Sequence, residues 1–409
     1  MRCRKKIKNM ILIQLLIAII AGIIVGTLSG LTPGIHINMI SLLVLALSPL
    51  LMERFGISVI AMGTFIIAMG VMHTFLDAIP SIFLGAPDEN TILGVLPGHR
   101  YLLRGNGLMA VKLFTIGSFF GLLFAVISFP ILYFITTYSY HWFEKFFALI
   151  LIGTSVFMIW KDEKRLWALF VFCSAAIFGM LVFNLNMQDP LFPMLSGLFG
   201  IATLIISLND ANTIPPQNND TTIKLEKKKT VLSLLAGNIS AFIVSTFPGL
   251  SGSIAAVMSM QVVRDLKDHG FMILMGCIGT AGFILSLVAL YAVNKARNGA
   301  VIVIAKLMPT TLATITLFLA VALIAGGIAV VLSFAFGRIF CQMMGVVNYR
   351  ILVITIILFV TIMVFVLTSW IGLLVLIVST AIGLIPGIVK VQRTQAMACL
   401  IVPVIIYLL

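Results

Sequence analysis

The residues best suited to chemistry are two ionisable side chains inside a long apolar stretch. His73 and Asp77 lie four residues apart within residues 57–84, so a helix puts them on one face within hydrogen-bonding reach. Ionisable groups inside a membrane span are costly and usually face a cavity or a transport pathway. The pair therefore predicts a functional site inside the protein. The alternative is a His–Asp pair that is buried for packing alone.

Two Pro-Gly dipeptides interrupt apolar stretches, and each is followed by polar residues. Proline removes a backbone donor and glycine permits a sharp turn, so a helix that stops there leaves unpaired backbone groups within the bilayer. A ligand can satisfy them, and the positive N-terminus of a restarted helix suits an anion; a kink satisfied by Ser and Thr hydroxyls is the alternative. With His73 and Asp77, we predict a substrate site lined by Pro33, Gly34, His36, Asn38, Pro248, Gly249, Ser251 and Ser253.

A polar segment after residue 84 carries two adjacent carboxylates, Asp88 and Glu89. They would repel each other inside the protein unless a cation or a proton neutralised them. Carboxylate and amide oxygens suit a hard cation. The segment therefore predicts a re-entrant turn that binds a coupling Na⁺ or H⁺ through Asp88, Glu89, Asn90 and Thr91, with an exposed acidic loop as the alternative.

The residues that follow this segment combine a third Pro-Gly dipeptide with two cations. Arginine recognises carboxylates and phosphates through paired hydrogen bonds, but it also anchors helices at the membrane surface. We predict contact with an anionic substrate at Pro97, Gly98, Arg100 and Arg104.

The composition indicates what positions these residues. Of the 409 residues, 61% are hydrophobic and 10% are charged, with a mean hydropathy of +1.20, whereas soluble domains carry about 25% charged residues. Long apolar stretches without strand-like alternation predict an all-α polytopic membrane protein with roughly 10–13 transmembrane or half helices. The net charge of +13 comes from Lys and Arg at the ends of these stretches, so we expect a lipid bilayer and no nucleic acid as the partner.

No motif points to a cofactor. The five cysteines are scattered without a CxxC pair, and neither an HExxH motif nor a P-loop is present. We therefore expect no metal centre and no cofactor beyond a coupling ion.

The chain divides into two halves at a polar linker, residues 209–230, whose Pro215-Pro216 and lysines cannot span a membrane. We predict a first membrane repeat with linking helices at 1–208 and a second repeat at 231–409. Each half starts with an apolar helix that ends at Pro-Gly, and each contains a G-x-x-P-G motif followed by Arg: Gly94, Pro97, Gly98 and Arg104, then Gly383, Pro386, Gly387 and Arg393. Repeats with broken helices are typical of alternating-access transporters.

Basic clusters predict the orientation in the membrane. Arg2, Arg4, Lys5 and Lys6 precede the first helix, and residues 227–229 are three lysines that precede the second half. The positive-inside rule puts both clusters, and so the N-terminus, in the cytoplasm. The two repeats would then be parallel, but the inverted orientation stays open, because half-helix hairpins change the number of crossings between the clusters. We expect a multi-pass protein of the plasma membrane.

Three segments together resemble a known family: Leu31-Thr32-Pro33-Gly34, the stretch 85–107 around Leu96-Pro97-Gly98, and Pro248-Gly249-Leu250-Ser251-Gly252. They resemble the large permease subunit (TctA-like) of the tripartite tricarboxylate transporters, and the similarity runs through nearly the whole chain. The resemblance implies an ion-coupled importer of small organic anions such as di- and tricarboxylates. It also implies two partners, a small membrane subunit and an extracytoplasmic binding protein.

Two other functions would use some of the same features. A carrier or flippase for a polyprenyl-phosphate lipid would also need broken helices and cations around an anionic head group. An intramembrane serine protease would use Ser251 in a G-x-S-G sequence, but His73 and His269 are poor candidates for its base. We expect a secondary transporter and not an enzyme. The substrate, the coupling ion and the oligomeric state stay open.

Overall fold

The fold is given by a computed structural model that describes residues 2–33, 35–85, 95–187, 190–210, 215–218, 225–246, 252–263, 266–296, 298–344 and 349–409. In these ranges the chain is helical and forms no strand. The helices are α1 (Arg2–Leu31), α2 (Ile37–Phe55), α3 (Val59–Leu76), α4 (Ala78–Leu84), α5 (Val95–Leu103), α6 (Gly107–Lys161), α7 (Arg165–Phe183), α8 (Leu191–Leu195), α9 (Ala202–Asp210), α10 (Lys227–Thr246), α11 (Gly252–Val262), α12 (Lys267–Val293), α13 (Gly299–Leu307), α14 (Leu312–Met344), α15 (Tyr349–Val389) and α16 (Ala398–Leu408).

Among the described residues, nine helices are long and apolar enough to cross a membrane, and three shorter apolar helices accompany them. The predicted all-α polytopic architecture is therefore confirmed. Large apolar side chains are exposed on the outer helices, as on α1, where Leu16, Ile20 and Leu28 are more than half exposed. In contrast, α3 and α12 are almost entirely buried. These two helices form the centre of the molecule, and the outer helices present apolar faces to lipid.

The first helix of each half packs in parallel on the central helix of its own half. Gly22 of α1 lies against Ala68 of α3, and Gly30 lies against Leu76, so both sequences advance together. Glycines at these positions allow the two backbones to approach closely, which is how helices associate in lipid. The second half repeats the arrangement, since Ser233 and Gly237 of α10 lie against Gly270 and Cys277 of α12.

The two central helices cross in opposite directions. Gly70 of α3 lies under the ring of Phe283 of α12, and Thr280 donates a hydrogen bond of 3.2 Å to the hydroxyl of Thr74. Along α3 the contacts run from Gly70 to Thr74, whereas their partners on α12 run backwards from Phe283 to Thr280. The two helices are therefore antiparallel. Since α1 is parallel to α3 and α10 is parallel to α12, the two halves are inverted relative to each other.

The long helices α6 and α14 are related by the same inversion. Each packs in parallel on the central helix of the opposite half: α6 on α12 and α14 on α3. On α6, Gly117 contacts Ile273 and Gly121 contacts Cys277, while Gly63 of α3 contacts Phe318 of α14. Each half thus packs its long helix on the central helix of the other half. A pseudo-two-fold axis through the α3–α12 contact relates the two halves, which is the arrangement of inverted-topology repeats.

This inversion decides between the two repeat orientations that the sequence leaves open. The basic start of α1 and the lysines at the start of α10 lie at opposite ends of the molecule, so they cannot both be cytoplasmic. The basic clusters favour parallel repeats, but the contacts between the helices give the inverted arrangement, because the positive-inside rule was applied to both clusters without knowledge of how the intervening helices turn. A charge cluster shows that a helix end is at a membrane surface, but not at which one.

Some predicted breaks are helical in the structure. Pro97 and Gly98 lie inside the first turns of α5, where proline is tolerated because its missing N–H has no intrahelical partner. Pro386 and Gly387 lie near the end of α15 and do not interrupt it; that helix is broken instead at Ser369, whose φ is +58°. The second half also contains two short helices, α11 with 11 residues and α13 with 9 residues.

Outside the central helices lies a second bundle. Here α7 packs on α16, and α15 packs on α9 and on a π-helical turn, Ser196–Ile201, that precedes α9. The two bundles have separate apolar cores.

Candidate functional site

A histidine caps the helix that begins after the break between α1 and α2. His36 is the N-cap of α2, with extended backbone angles (φ −94°, ψ 145°), and its Nδ1 accepts the backbone N–H of Asn38 at 3.3 Å. A side-chain acceptor at this place satisfies one of the amides that a helix start leaves without a partner. The polar residues after Pro33 therefore begin a new helix within the protein.

His36 meets His73 from the central helix α3. Their ring centroids are 5.7 Å apart and the rings are tilted by 57°. His73 is only 3% exposed, and its Nδ1 shares a hydrogen bond of 3.0 Å with the hydroxyl of Ser29 near the end of α1. Gly30 brings this end of α1 close to α3, because a Cβ there would lie 3.1 Å from the carbonyl oxygen of His73. Two predicted site residues, 37 positions apart, are thus adjacent.

Asp77 is located one helical turn beyond His73. Its backbone N–H donates to the carbonyl of His73 at 2.9 Å, and the residue is 5% exposed. Asp77 lies between the end of α3 and the start of α4. Pro80, two residues into α4, has no N–H for the carbonyl of Leu76, which accounts for a change of helix at this position.

The second half reaches the same break through the short helix α13. The backbone N–H of Ala300, at the start of α13, donates to Asn38 Oδ1 at 3.0 Å and to Asn298 Oδ1 at 2.9 Å. Gly299 makes the contact possible, since a Cβ on it would lie 2.6 Å from Asn38 Cγ. The positive end of the α13 dipole therefore points at the first-half break. The site combines a break from one half with a helix N-terminus from the other.

Arg100 and Arg104 lie elsewhere, at the end of the molecule where α12 begins. Arg100 forms an ion pair with Asp268 of α12, and an Arg104 nitrogen is 3.6 Å from the other carboxylate oxygen. Both arginines, which were predicted to contact an anionic substrate, therefore pair with an acidic residue of the opposite half in the structure.

Pro97 and Gly98 hold α5 against the end of α4. A Cβ on Gly98 would lie 2.8 Å from the Ile82 side chain. The neighbouring His99 is buried and hydrogen-bonds to the backbone of Ile82. Burial disfavours its charged form and lowers the pKa of His99 to about 4, although the bond to Ile82 acts in the opposite direction. His99 is neutral at physiological pH and contributes a rigid contact between the two short helices.

Other predicted residues are outside the described part of the chain: Gly34, Asp88, Glu89, Asn90, Thr91, Pro248, Gly249 and Ser251. The first three residues of the G-x-S-G sequence of the protease alternative, 249–251, are also outside it, whereas Gly252 begins α11. Ser253 is described and is fully buried near the start of α11. It occupies the position in the second half that Asn38 occupies in the first. Both roles, substrate binding and ion coupling, stay predictions for these residues.

Sequence reasoning missed several groups at or near the site. Ser29, Asn298 and the Thr74–Thr280 contact were not singled out. A signal existed for Asn298, because Asn followed by Gly before an apolar run is a common helix start. No signal could have indicated Ser29 or the threonine pair, since their role depends on contacts between residues far apart in the chain.

Comparisons with known proteins agree with the architecture. The chain matches the Tripartite tricarboxylate transporter TctA family over residues 16–398. It is 29% identical over 397 residues to an uncharacterized protein of Methanocaldococcus jannaschii, MJ1079, and the match covers 93% of this chain and 95% of that protein. No solved structure matches the chain. Because the family match runs from α1 to α16, the chain is a multi-pass membrane protein that belongs to the tripartite tricarboxylate transporter TctA family.

Proposed function

We propose that the chain is the translocating subunit of an ion-coupled importer of small organic anions, di- and tricarboxylates among them, in the plasma membrane. The observation that carries the proposal is the contact between the α1–α2 break and the N-terminus of α13 from the inverted half. In transporters with inverted repeats, the substrate binds where broken helices of the two halves meet. The activity is transport, and no catalytic step is part of it.

The chemistry of this site suits a carboxylate. A carboxylate that replaced Asn38 at Ala300 would gain a backbone amide donor and the positive end of the α13 dipole. His36 and His73 would supply ring N–H donors, and either imidazole gains a positive charge when protonated. Asp77, one helical turn from His73, could carry the proton of a coupled cycle.

The inverted halves suggest how access alternates. The Arg100–Asp268 pair connects the halves at one end of the molecule, so its formation would close that end while the other end opens. The coupling ion would bind at Asp88 and Glu89, the acidic segment between α4 and α5. A small membrane subunit and an extracytoplasmic binding protein, the other parts of a tripartite system, would deliver the anion.

The test is uptake of radiolabelled succinate and citrate into proteoliposomes that contain the chain and its two partner subunits. We expect His73→Asn and His36→Asn, which remove the two ring N–H donors, to reduce uptake at least tenfold without loss of protein. The matched control is Asn184→Ala, because the Asn184 side chain is exposed and donates to the carbonyl of Met180 in its own helix. The proposal fails if both site variants transport at the parental rate, or if neither anion is taken up against a gradient of Na⁺ or H⁺.

A further inference from the structure

The turns that end α6 and α15 lie side by side on the outer bundle. The Lys164 Nζ donates to the carbonyl of Val389 at 2.8 Å. Asp162, which is buried, accepts the backbone N–H of Lys164 at 3.1 Å and that of Gln392 at 3.2 Å. Two segments more than 200 residues apart in sequence are therefore joined, and the carboxylate that joins them is occupied by backbone donors.

Arg393 follows directly and is held in a half-buried position. Its guanidinium donates to the Thr203 hydroxyl of α9. Gly387 leaves the necessary space, because a Cβ on it would lie 3.3 Å from an Arg393 nitrogen. No carboxylate among the described residues lies within 4 Å of this guanidinium. The glycine and the arginine of the second G-x-x-P-G motif thus form one structural unit, a positioned cation without an acidic partner in the described chain.

The two turns that include Arg393 also carry further cations. The side chains of Lys161, Lys164, Arg165 and Lys390 are all exposed on the same two turns. Only Asp162 and Glu163 on these turns are acidic, and Asp162 is already used in backbone hydrogen bonds. The surface is therefore strongly positive.

These turns lie at the ends of helices that are long and apolar enough to cross a membrane. Val389 ends one membrane span and Arg165 begins another. Trp160 and Trp167 are 62% and 47% exposed beside them, and the Arg165 guanidinium lies 5.8 Å from the centre of the Trp160 ring. Exposed tryptophans at the ends of spans mark the interface between membrane and water. Basic pockets between helices at this depth bind anionic lipid head groups.

We propose that Arg393, with Lys164, Arg165 and Lys390, binds the phosphate of an anionic phospholipid. The guanidinium offers five N–H donors in a planar fork that matches phosphate oxygens, and the hydrogen bond to Thr203 engages only one of them. The lysines would add charge around the same phosphate. The bound lipid would connect the ends of α6 and α15 at the membrane surface.

The experiment measures thermal unfolding of the full-length protein in a neutral detergent with added phosphatidylglycerol or phosphatidylcholine. We expect phosphatidylglycerol to raise the unfolding temperature by about 2–5 °C, the range expected for a ligand present well above its dissociation constant. Phosphatidylcholine should have less than a third of that effect. In Arg393→Gln the additional effect of phosphatidylglycerol should disappear, whereas the control Arg54→Gln, at the end of α2, should keep it.

Two further arms keep the test decisive. If Arg393→Gln does not fold, the double variant Lys164→Gln/Lys390→Gln takes its place, and native mass spectrometry counts the phosphatidylglycerol molecules that each protein retains; we expect at least one fewer. Inorganic phosphate is the third ligand. Equal stabilisation by inorganic phosphate and by phosphatidylglycerol would assign the cluster to a free anion and overturn the lipid proposal, as would an undiminished response in both variants.

Discussion

The ion pairs of Asp268 connect the two inverted halves and can be removed with one substitution. Asp268 at the start of α12 contacts Arg100 and Arg104 of the opposite half. Asp268→Asn keeps the size of the side chain but removes its charge. If these contacts form only when this end of the transporter is closed, the substitution shifts the equilibrium toward the state that is open at this end.

The size of the shift follows from the exposure of the three side chains. Arg100, Arg104 and Asp268 are 45%, 63% and 21% exposed, so solvent screens each pair. Exposed pairs contribute about 0.5–1 kcal/mol each, and two of them give about 1–2 kcal/mol. That energy corresponds to a change of about 5–30-fold in the ratio of the two states.

The assay is the rate at which an impermeant maleimide labels a cysteine at position 280, in protein whose native cysteines are replaced by serine. Thr280 is fully buried at the α3–α12 contact, so labelling reports opening of the centre. We expect Asp268→Asn to raise the rate about 5–30-fold, and the exchanged pair Arg100→Asp/Asp268→Arg to recover part of the difference.

The control removes a different ion pair. Glu226 and Lys229 are 2.7 Å apart at the start of α10, and this pair does not connect the two halves, so Glu226→Gln should leave the labelling rate unchanged. The reasoning is refuted if Asp268→Asn labels at the parental rate, or if Glu226→Gln has the same effect as Asp268→Asn.

Two other predictions concern stability, measured by thermal unfolding in detergent. Gly276→Ala should destabilise the protein by about 1–3 kcal/mol, because its Cβ would meet the backbone of Phe114 on α6, whereas Gly279→Ala in the same helix has open space and should be neutral or slightly stabilising; equal effects would contradict the close α6–α12 packing. Since the pKa of His99 is about 4 in the folded protein, below its ordinary value of 6.5, protonation favours the unfolded chain. Stability is complete above pH 6.5 and falls toward pH 4, by about 2 kcal/mol at pH 5, and His99→Asn should remove this part of the acid sensitivity.

Part of the candidate site could be predicted from local sequence. His36 and Asn38 follow a Pro-Gly dipeptide, and such a break in an apolar stretch has few structural solutions, so a restarted helix with polar residues at its N-terminus was expected and is present. The interior location of His73 and Asp77 followed from the cost of ionisable groups in lipid.

Other features depend on residues that are distant in sequence. Arg100 and Arg104 were interpreted as anion contacts because arginine suits anions, but Asp268 is their partner in the structure. In the sequence, Arg393 is only part of a repeated motif. In the structure, Thr203 accepts a hydrogen bond from its guanidinium and Gly387 leaves space for it. In each case the chemistry of the side chain was evident, and its partner was not.

The sequence by itself determined that the chain is an all-α membrane protein with broken helices, because hydropathy and the backbone effects of Pro and Gly act over one helix turn or one span. The tertiary structure decided that the halves are inverted, that α13 from the second half completes the first-half break, and which cations pair with Asp268. Those features depend on the direction in which each helix crosses its neighbours. That direction is set by close contacts such as Gly70 with Phe283, and a charge at a helix end is compatible with either membrane surface.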